Sequence, residues 1–170
     1  IKEALADARD RSIEVACESL LVKPMWSEMK QNAEAAALSG AGLRLLGEHL
    51  LALKKRIPNL EIHLAGHSAG SIVLGHLFSL LDKRLSAASL TLFAPACSVD
   101  FATRHYGAAI QAGKLTPGSV HVHIMDDERE QADSVGPYGK SLLYLVSRAL
   151  EARHKTPLLG MEWAWKPANA

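Results

Sequence analysis

The sequence is poor in the residues that mark several specialised classes of protein. Its 170 residues include only two cysteines, Cys17 and Cys97, which argues against a small secreted domain held together by disulfides and favours free, buried thiols. No apolar run approaches the roughly 20 residues that span a bilayer, and no signal peptide is recognisable. We therefore predict a cytoplasmic protein with no membrane-spanning segment.

Charge of one sign and aromatic side chains are also scarce. The formal net charge is +1, Lys and Arg form no long block, and aromatic residues make up 5% of the chain. These values argue against nucleic acid or an anionic membrane as a partner. The length and the 48% hydrophobic content are those of one globular domain with a sizeable core.

The most specific pattern is Gly66-His67-Ser68-Ala69-Gly70, which satisfies Gly-x-Ser-x-Gly. The apolar alternation over 60–64 predicts a strand before it, and the apolar run Ser71 to Leu81 predicts a buried helix after it. A serine on such a tight turn adopts a strained backbone angle, and a glycine two positions away on either side leaves room for it. We predict a nucleophile elbow with Ser68 as the nucleophile; the alternative is a structural turn.

The predicted helix would place Ser68 at a favourable site for negative charge. The first backbone N–H groups of a helix have no partner within it, and the positive end of the helix dipole favours an oxyanion there. The amide of Ala69 is the predicted donor to such an oxyanion, and its small side chain leaves space for a substrate.

Hydrophobic periodicity predicts further helices and strands on both sides of this turn. Helices are predicted over 1–22, 27–38, 43–57, 100–112 and 141–152, strands over 89–94 and 120–125, a loop over 126–139 and the start of a further strand over 158–161. Pro24 is expected to end the first helix and Ser27 to cap the second. Because strands alternate with helices from residue 60 onward, we predict an α/β fold, a parallel sheet with flanking helices.

This arrangement resembles the C-terminal part of an α/β-hydrolase-fold serine hydrolase, with the elbow Gly66 to Gly70 as its specific motif. The segments 92–96 and 137–144 resemble those of a bacterial branch of lipase- or esterase-like proteins. The resemblance covers roughly residues 40 to 165 and implies that 41–170 is part of a hydrolase domain. Residues 1–40 would be a helical segment that could form a cap; its Trp26 and Met29 are expected in the core, with a role in lining a substrate pocket as the alternative.

The resemblance also implies a catalytic acid after the strand over 120–125. Asp127 matches that position, and its neighbour Asp126 is the alternative, although Asp126 could equally cap the loop. Asp100 matches a position that some lipases use, or it caps the following helix. The acid would orient a histidine, which takes the proton from Ser68. His67, beside the serine, needs no chemical role.

The sequence departs from the family at the histidine. His154 is the only histidine after the acid candidates, and its place between Arg153 and Lys155 at a helix end is typical of a solvated surface residue. Either His154 is the base, or the family histidine lies beyond Ala170, which we favour. Because no strands are visible before residue 60, we expect the rest of the chain or another subunit to complete the sheet.

The sequence thus predicts a serine hydrolase that cleaves a small-molecule ester or related acyl substrate through an acyl-enzyme, without a cofactor. The alternative is a non-catalytic, hydrolase-like interaction module that lacks a complete triad. His121 and His123 share one face of a strand, but no third ligand accompanies them, so we predict no metal site and interpret both as polar residues on a less buried face.

Overall fold

A computed structural model describes residues 2–19 and 22–166, and predictions that fall on residues 1, 20, 21 and 167–170 lie outside the described residues. The first half contains, in order, α1 (Lys2–Ser19), α2 (Val22–Ala35), α3 (Gly42–Arg56), β1 (His63–His67) and α4 (Gly70–Leu80). After β2 (Ser89–Phe93), one continuous helix is formed by α5 (Val99–Ala102), a π-helical turn (Thr103–Gly107) and α6 (Ala108–Gln111). A 3₁₀ turn (Pro117–Ser119), β3 (Val120–His123) and α7 (Asp127–Ala132) follow, and the last elements are α8 (Leu142–Leu145), a π-helical turn (Val146–Leu150) and a 3₁₀ turn (Glu162–Trp165).

The three strands form one parallel sheet in the order β1-β2-β3. The register pairs His67 with Phe93 and Phe93 with His123, so the carboxyl ends of the strands meet at one edge. Helix α4 connects β1 to β2, and the helix from α5 to α6 connects β2 to β3. The predicted α/β class with a parallel sheet is therefore confirmed.

The described residues cover the sheet on one face only. Leu90 and Leu92 of the central strand are fully buried on the covered face, where they join a core with Ile72, Leu77 and Phe78 of α4. The opposite face carries exposed or half-buried side chains at alternating positions of the three strands: His63, Ala65, His67, Ser89, Thr91, Phe93, His121 and His123. Parallel sheets are normally covered on both faces, so this open face is unusual.

The open face confirms the interpretation of the paired histidines in β3. His121 and His123 are both exposed there, and the His123 ring stacks on Phe93 with 4.8 Å between ring centroids. No group of three metal-ligating side chains occurs in the described part of the chain. Among the described residues β1 pairs only with β2, so its outer edge has no strand partner there.

Buried charges hold α1 against the C-terminal third of the chain. The Glu14 carboxylate, 1% exposed, lies 2.7 Å from Arg148 Nε and accepts a hydrogen bond of 2.9 Å from the Tyr138 hydroxyl. Asp10, 3% exposed, accepts a hydrogen bond from the Gly139 amide at 3.0 Å and pairs with Lys140 at 3.0 Å. These contacts lower the pKa of Asp10 in spite of its burial.

Helix α2 lies across α4 and is anchored at Glu151. The indole of Trp26 donates to Glu151 at 2.7 Å, and Lys30 Nζ lies 2.9 Å from both carboxylate oxygens of Glu151. Trp26 is 7% exposed, which confirms its predicted place in the core. The same prediction was wrong for Met29, which is 43% exposed.

Several predicted boundaries were wrong in the N-terminal half. Helix α2 begins at Val22, and Pro24 lies in its first turn, where the missing N–H has no intrahelical acceptor to lose. Ser27 is therefore an internal helical residue and not a cap. Strand β1 comprises His63–His67, the residues that pair with β2, so Leu60 lies outside the strand.

Two further predictions were wrong after β3. The predicted loop over 126–139 contains α7, whose polar sequence lacks apolar periodicity, so only its N-cap and its acidic first turn could have revealed it. The predicted strand over 158–161 is absent: Leu158 and Met161 each form a single bridge, to Ser98 and Met125. Cys17 and Cys97 are free thiols, of which only Cys97 is buried.

None of the helices that the structure describes is long and apolar enough to cross a membrane.

Gly160 approaches the end of β2 so closely that a side chain would not fit. A Cβ atom there would lie 2.6 Å from the Pro95 carbonyl oxygen and 2.8 Å from the Ala94 carbonyl carbon, which are backbone atoms. We expect Gly160→Ala to lower the free energy of unfolding by about 1 to 3 kcal/mol, as overpacking does. Urea denaturation measures the change.

Gly107→Ala is the matched control for this substitution. Gly107 is helical, and a Cβ atom there meets no other atom within 4 Å. The control should be neutral or stabilise by up to about 1 kcal/mol, since alanine favours helix. Equal effects of the two substitutions would contradict the close approach at Gly160.

Candidate active site

Ser68 stands at the turn between β1 and α4 with a φ of +50°, a left-handed conformation that side chains other than glycine rarely adopt. This confirms the predicted strain, which costs on the order of 1 to 2 kcal/mol. Gly66 is required for the turn, since a Cβ atom there would lie 2.9 Å from Leu74 Cδ1 and 3.2 Å from the Gly70 carbonyl carbon. The prediction that the turn also requires a glycine at Gly70 was wrong, because a Cβ atom there meets nothing within 4 Å.

The strained backbone of Ser68 is held by hydrogen bonds on both sides. Its N–H donates to the Phe93 carbonyl at 3.0 Å, which links the turn to β2. Its carbonyl oxygen accepts from Ser71 N–H at 3.1 Å, from Ser71 Oγ at 2.7 Å and from Ala96 N–H at 3.1 Å. The Ser68 hydroxyl makes no hydrogen bond to any described residue, so it is available for chemistry.

Ser71 is the buried residue that supports this geometry, and the sequence analysis gave it no role. It is fully buried, its Oγ accepts a hydrogen bond from the Cys97 amide at 3.1 Å, and its carbonyl oxygen accepts one from the Tyr106 hydroxyl. Burial raises the pKa of the Cys97 thiol to about 11, so this thiol is no competing nucleophile. The sequence feature that could have revealed the role of Ser71 is its position as a polar residue in a nearly all-apolar helix.

The amides after Ser68 are free to bind an anion. Neither the Ala69 N–H nor the Gly70 N–H donates a hydrogen bond to another described residue, as expected for the start of a helix. Helix α4 has 11 residues, and its dipole adds positive potential at this end. The position predicted for the oxyanion donor is therefore compatible with that role.

The two predicted acids lie at the start of α7. Asp126 is the N-cap, since its side chain accepts a hydrogen bond of 2.8 Å from the Arg129 amide. Asp127 is half-buried, and its two carboxylate oxygens accept hydrogen bonds from the Tyr144 hydroxyl at 2.5 Å and from the Gln131 side chain at 2.8 Å. Asp127 is thus held in a fixed orientation.

Asp100 lies elsewhere and does not cap its helix. The N-cap of α5 is Ser98, whose Oγ accepts from the Phe101 amide at 3.1 Å. Asp100 is exposed and lies 3.4 Å from Arg153. The prediction that Asp100 caps this helix was therefore wrong, since the cap lies two residues earlier. Serine and aspartate are equally good caps, so residue type alone did not distinguish Ser98 from Asp100.

The predicted base His154 and His67, which precedes Ser68, both lie on the surface. His154 is exposed, with its Nδ1 2.8 Å from the Arg148 carbonyl oxygen, and His67 is exposed on the open face of the sheet. In the part of the chain that the structure describes, no hydrogen bond links a histidine to Ser68, Asp126 or Asp127. The structure therefore shows a strained turn at Ser68 and an oriented Asp127 carboxylate, with no histidine hydrogen-bonded to either among the described residues.

Two cavities flank Ile72 and Lys30, which line both. One is a polar cleft of about 520 Å³ between α2, α4 and α5, and it contains His76 and His105. Burial lowers the pKa of both histidines, and His105 Nδ1 lies 2.6 Å from Ser79 Oγ. The other cavity, of about 130 Å³, is bordered by the two residues that follow Ser68.

Comparisons with protein-family models, with curated proteins and with solved structures found no match to this chain. The geometry of the turn therefore carries the functional proposal.

We expect Ser71→Ala to lower the free energy of unfolding by about 1 to 3 kcal/mol. The substitution removes one donor to the Ser68 carbonyl and leaves the buried Cys97 amide without an acceptor. Urea denaturation measures the loss. Ser86→Ala, at an exposed serine whose side chain forms no hydrogen bond to a described residue, serves as control and should change stability by less than about 0.5 kcal/mol. A loss no larger than that of the control would argue against a supporting role for Ser71.

Glu130 is a buried carboxylate on α7, next to the predicted acids. It is 1% exposed, its Oε2 accepts a hydrogen bond from the Ser141 hydroxyl, and its Oε1 has no hydrogen-bond partner among the described residues. Burial raises its pKa, and the carboxylates of Asp133 and Asp127 raise it further. The raised pKa means that folding favours the protonated form, so this stabilisation is present below the ordinary pKa and is lost as the pH rises through the folded value.

Glu130→Gln should therefore stabilise the protein at about pH 8 by about 1 to 3 kcal/mol and have little effect at about pH 4, because the amide keeps the hydrogen bond and removes the buried charge. Urea denaturation at both pH values tests this. Glu128→Gln, an exposed position on the same helix, should show no such pH dependence. A Glu130→Gln effect that is equal at the two pH values would contradict the assignment.

Proposed function

We propose that this chain is the nucleophile-bearing part of a serine hydrolase of the α/β-hydrolase fold, which cleaves a small-molecule ester or related acyl substrate through an acyl-enzyme. One observation carries the proposal: Ser68 has a left-handed backbone on a strand-to-helix turn, with an unbonded hydroxyl and two unbonded amides directly after it. Strain of this kind occurs at functional sites where the surroundings enforce it. The hydrogen bonds from Ser71 and Ala96 to the Ser68 carbonyl are such an enforcement.

The chemistry follows from these parts. Ser68 Oγ attacks the carbonyl carbon of the ester, and a histidine accepts the serine proton. The negative charge that develops on the carbonyl oxygen is stabilised by the Ala69 amide at the start of α4. The bond to the alcohol breaks and the histidine returns its proton to the alcohol. Water then attacks the acyl-serine by the same route and releases the acid.

Asp127 is the proposed acid of the triad. Its hydrogen bonds to Tyr144 and Gln131 hold the carboxylate in place at the carboxyl edge of the sheet, the same edge as Ser68. The histidine would be His154 after a rearrangement, or a histidine of another segment or subunit that completes the sheet. The open face of the sheet and the open edge of β1 support the second source.

A non-catalytic interaction module is the second candidate. It is favoured by one observation, that no histidine in the described residues forms a hydrogen bond with Ser68 or Asp127. In that case the open sheet face would be the binding surface and the elbow a remnant.

A fluorophosphonate probe tests the proposal on the 170-residue chain and on the product of the complete gene. The serine oxygen displaces fluoride from phosphorus, so intact-mass spectrometry should show the addition of one phosphonyl group. We expect Ser68→Ala to abolish the labelling, while Ser79→Ala, in the exposed part of α4, labels as the wild type does. Labelling that is confined to the complete product would place the base outside these residues.

Absence of labelling in both forms would contradict the hydrolase proposal and favour the non-catalytic interaction module. Labelling that survives Ser68→Ala would assign the reactivity to another residue and would also count against it.

A further inference from the structure

The cavity of about 130 Å³ lies between α2 and the first turn of α4. Its lining is almost wholly apolar, and the residues that border it are Met29, Lys30, Ala33, Ala69, Gly70, Ile72 and Val73. Ala69 and Gly70 follow the proposed nucleophile directly in the chain. The cavity is therefore the apolar space next to the elbow.

Lys30 borders this cavity without placing its charge there. Its ammonium group lies 2.9 Å from both carboxylate oxygens of Glu151, a residue that does not border the cavity. Lysine can cover an apolar surface with its methylene groups while its charged end binds elsewhere. The space thus offers no charged partner and favours an apolar group.

Ala69 and Gly70 border the cavity, and their unbonded amides suggest how a substrate would be oriented. If the carbonyl oxygen of a substrate binds the Ala69 amide, the carbonyl carbon lies at Ser68 Oγ, and the acyl chain extends from this carbon beside Ala69 and Gly70. The polar cleft on the other side of Ile72 and Lys30 carries His76, Glu34 and Arg104 and suits an acyl chain poorly.

The volume of the cavity determines how many carbon atoms of that chain it can bury. A water molecule occupies about 30 Å³ in the liquid, and an apolar cavity of about 150 Å³ holds a benzene ring. A cavity of about 130 Å³ therefore accommodates about four or five carbon atoms. Met29 borders the cavity from α2 together with Lys30 and Ala33. A methionine side chain is flexible enough to adapt to a short chain but still occupies the space that a long chain would need.

From these contacts we infer that the cavity beside Ser68 is an acyl pocket for short, uncharged acyl chains, and that Met29 sets the length limit. This inference rests on the proposed function. It narrows the substrate class to short-chain esters and gives α2 a role in substrate selection.

The test compares fluorophosphonates that carry a methyl, a butyl or an octyl group on phosphorus, used on the product of the complete gene. Ser68 Oγ bonds to phosphorus, fluoride leaves, the serine proton passes to the base, and the alkyl group takes the place of the acyl chain. We expect the butyl probe to label about tenfold or more faster than the octyl probe, the discrimination that a hydrophobic pocket provides.

Substitutions of Met29 should move this preference. Met29→Ala enlarges the pocket and should raise the octyl rate about tenfold, whereas Met29→Trp fills it and should lower the butyl rate about tenfold with little change in the methyl rate. Met25→Ala is the matched control, since Met25 lies on the same helix, is 65% exposed and does not border the cavity. Its rates should equal those of the wild type.

The outcomes distinguish failure of the acyl pocket from failure of the serine hydrolase proposal on which it rests. Equal butyl and octyl rates, or a preference that neither Met29 variant changes, would overturn the acyl pocket while labelling of Ser68 continues to support the hydrolase. Absence of labelling with every probe would overturn both.

Discussion

The carbonyl group of Ser68 is the point on which the candidate site depends. Three donors, from Ser71 and Ala96, converge on this one oxygen, and the Ser68 amide is bonded to β2 on the other side. Each such bond contributes about 0.5 to 1.5 kcal/mol, so together they offset the strain of the left-handed backbone. Because Ser71 also binds the Cys97 amide and the Tyr106 hydroxyl, the turn, the end of β2 and the following helix form one unit.

The turn at Ser68 lies at one edge of a sheet that the described residues cover on one face. All three strands bury one face against the core and end at one edge, where Ser68 follows β1. Asp127 lies at the same edge after β3, which is separated from β1 by β2. The N-terminal helices are bound on the covered side through buried carboxylates, Glu14 and Asp10, and through Glu151. A buried ion pair adds little net stability, yet the loss of one partner is costly. The contacts of Glu151 with Trp26 and Lys30 therefore help to determine where α2 lies relative to Ser68.

Much of the fold could be predicted from local pattern, and the exceptions have physical causes. The helices α3 and α4, the strands β2 and β3 and the strained turn follow from periodicity and from the Gly-x-Ser-x-Gly spacing. Helix α7 was missed because its sequence carries no apolar stripe, and the start of α2 because a proline in a first turn resembles a helix break. The single bridges of Leu158 and Met161 show that an apolar segment can be buried without forming a strand.

The sequence by itself determined the elbow: a glycine that the crowded turn requires at Gly66, a serine two residues later, and an apolar helix after it. These are local constraints of sterics and hydrogen bonding, and they act within a few residues of the chain. Only the tertiary structure decided that Ser71 holds the turn, that Asp127 is fixed by Tyr144, and that His154 lies on the surface beside Arg148. Those relations join residues far apart in the chain, and packing of the core sets their distances, which no periodicity in the sequence encodes.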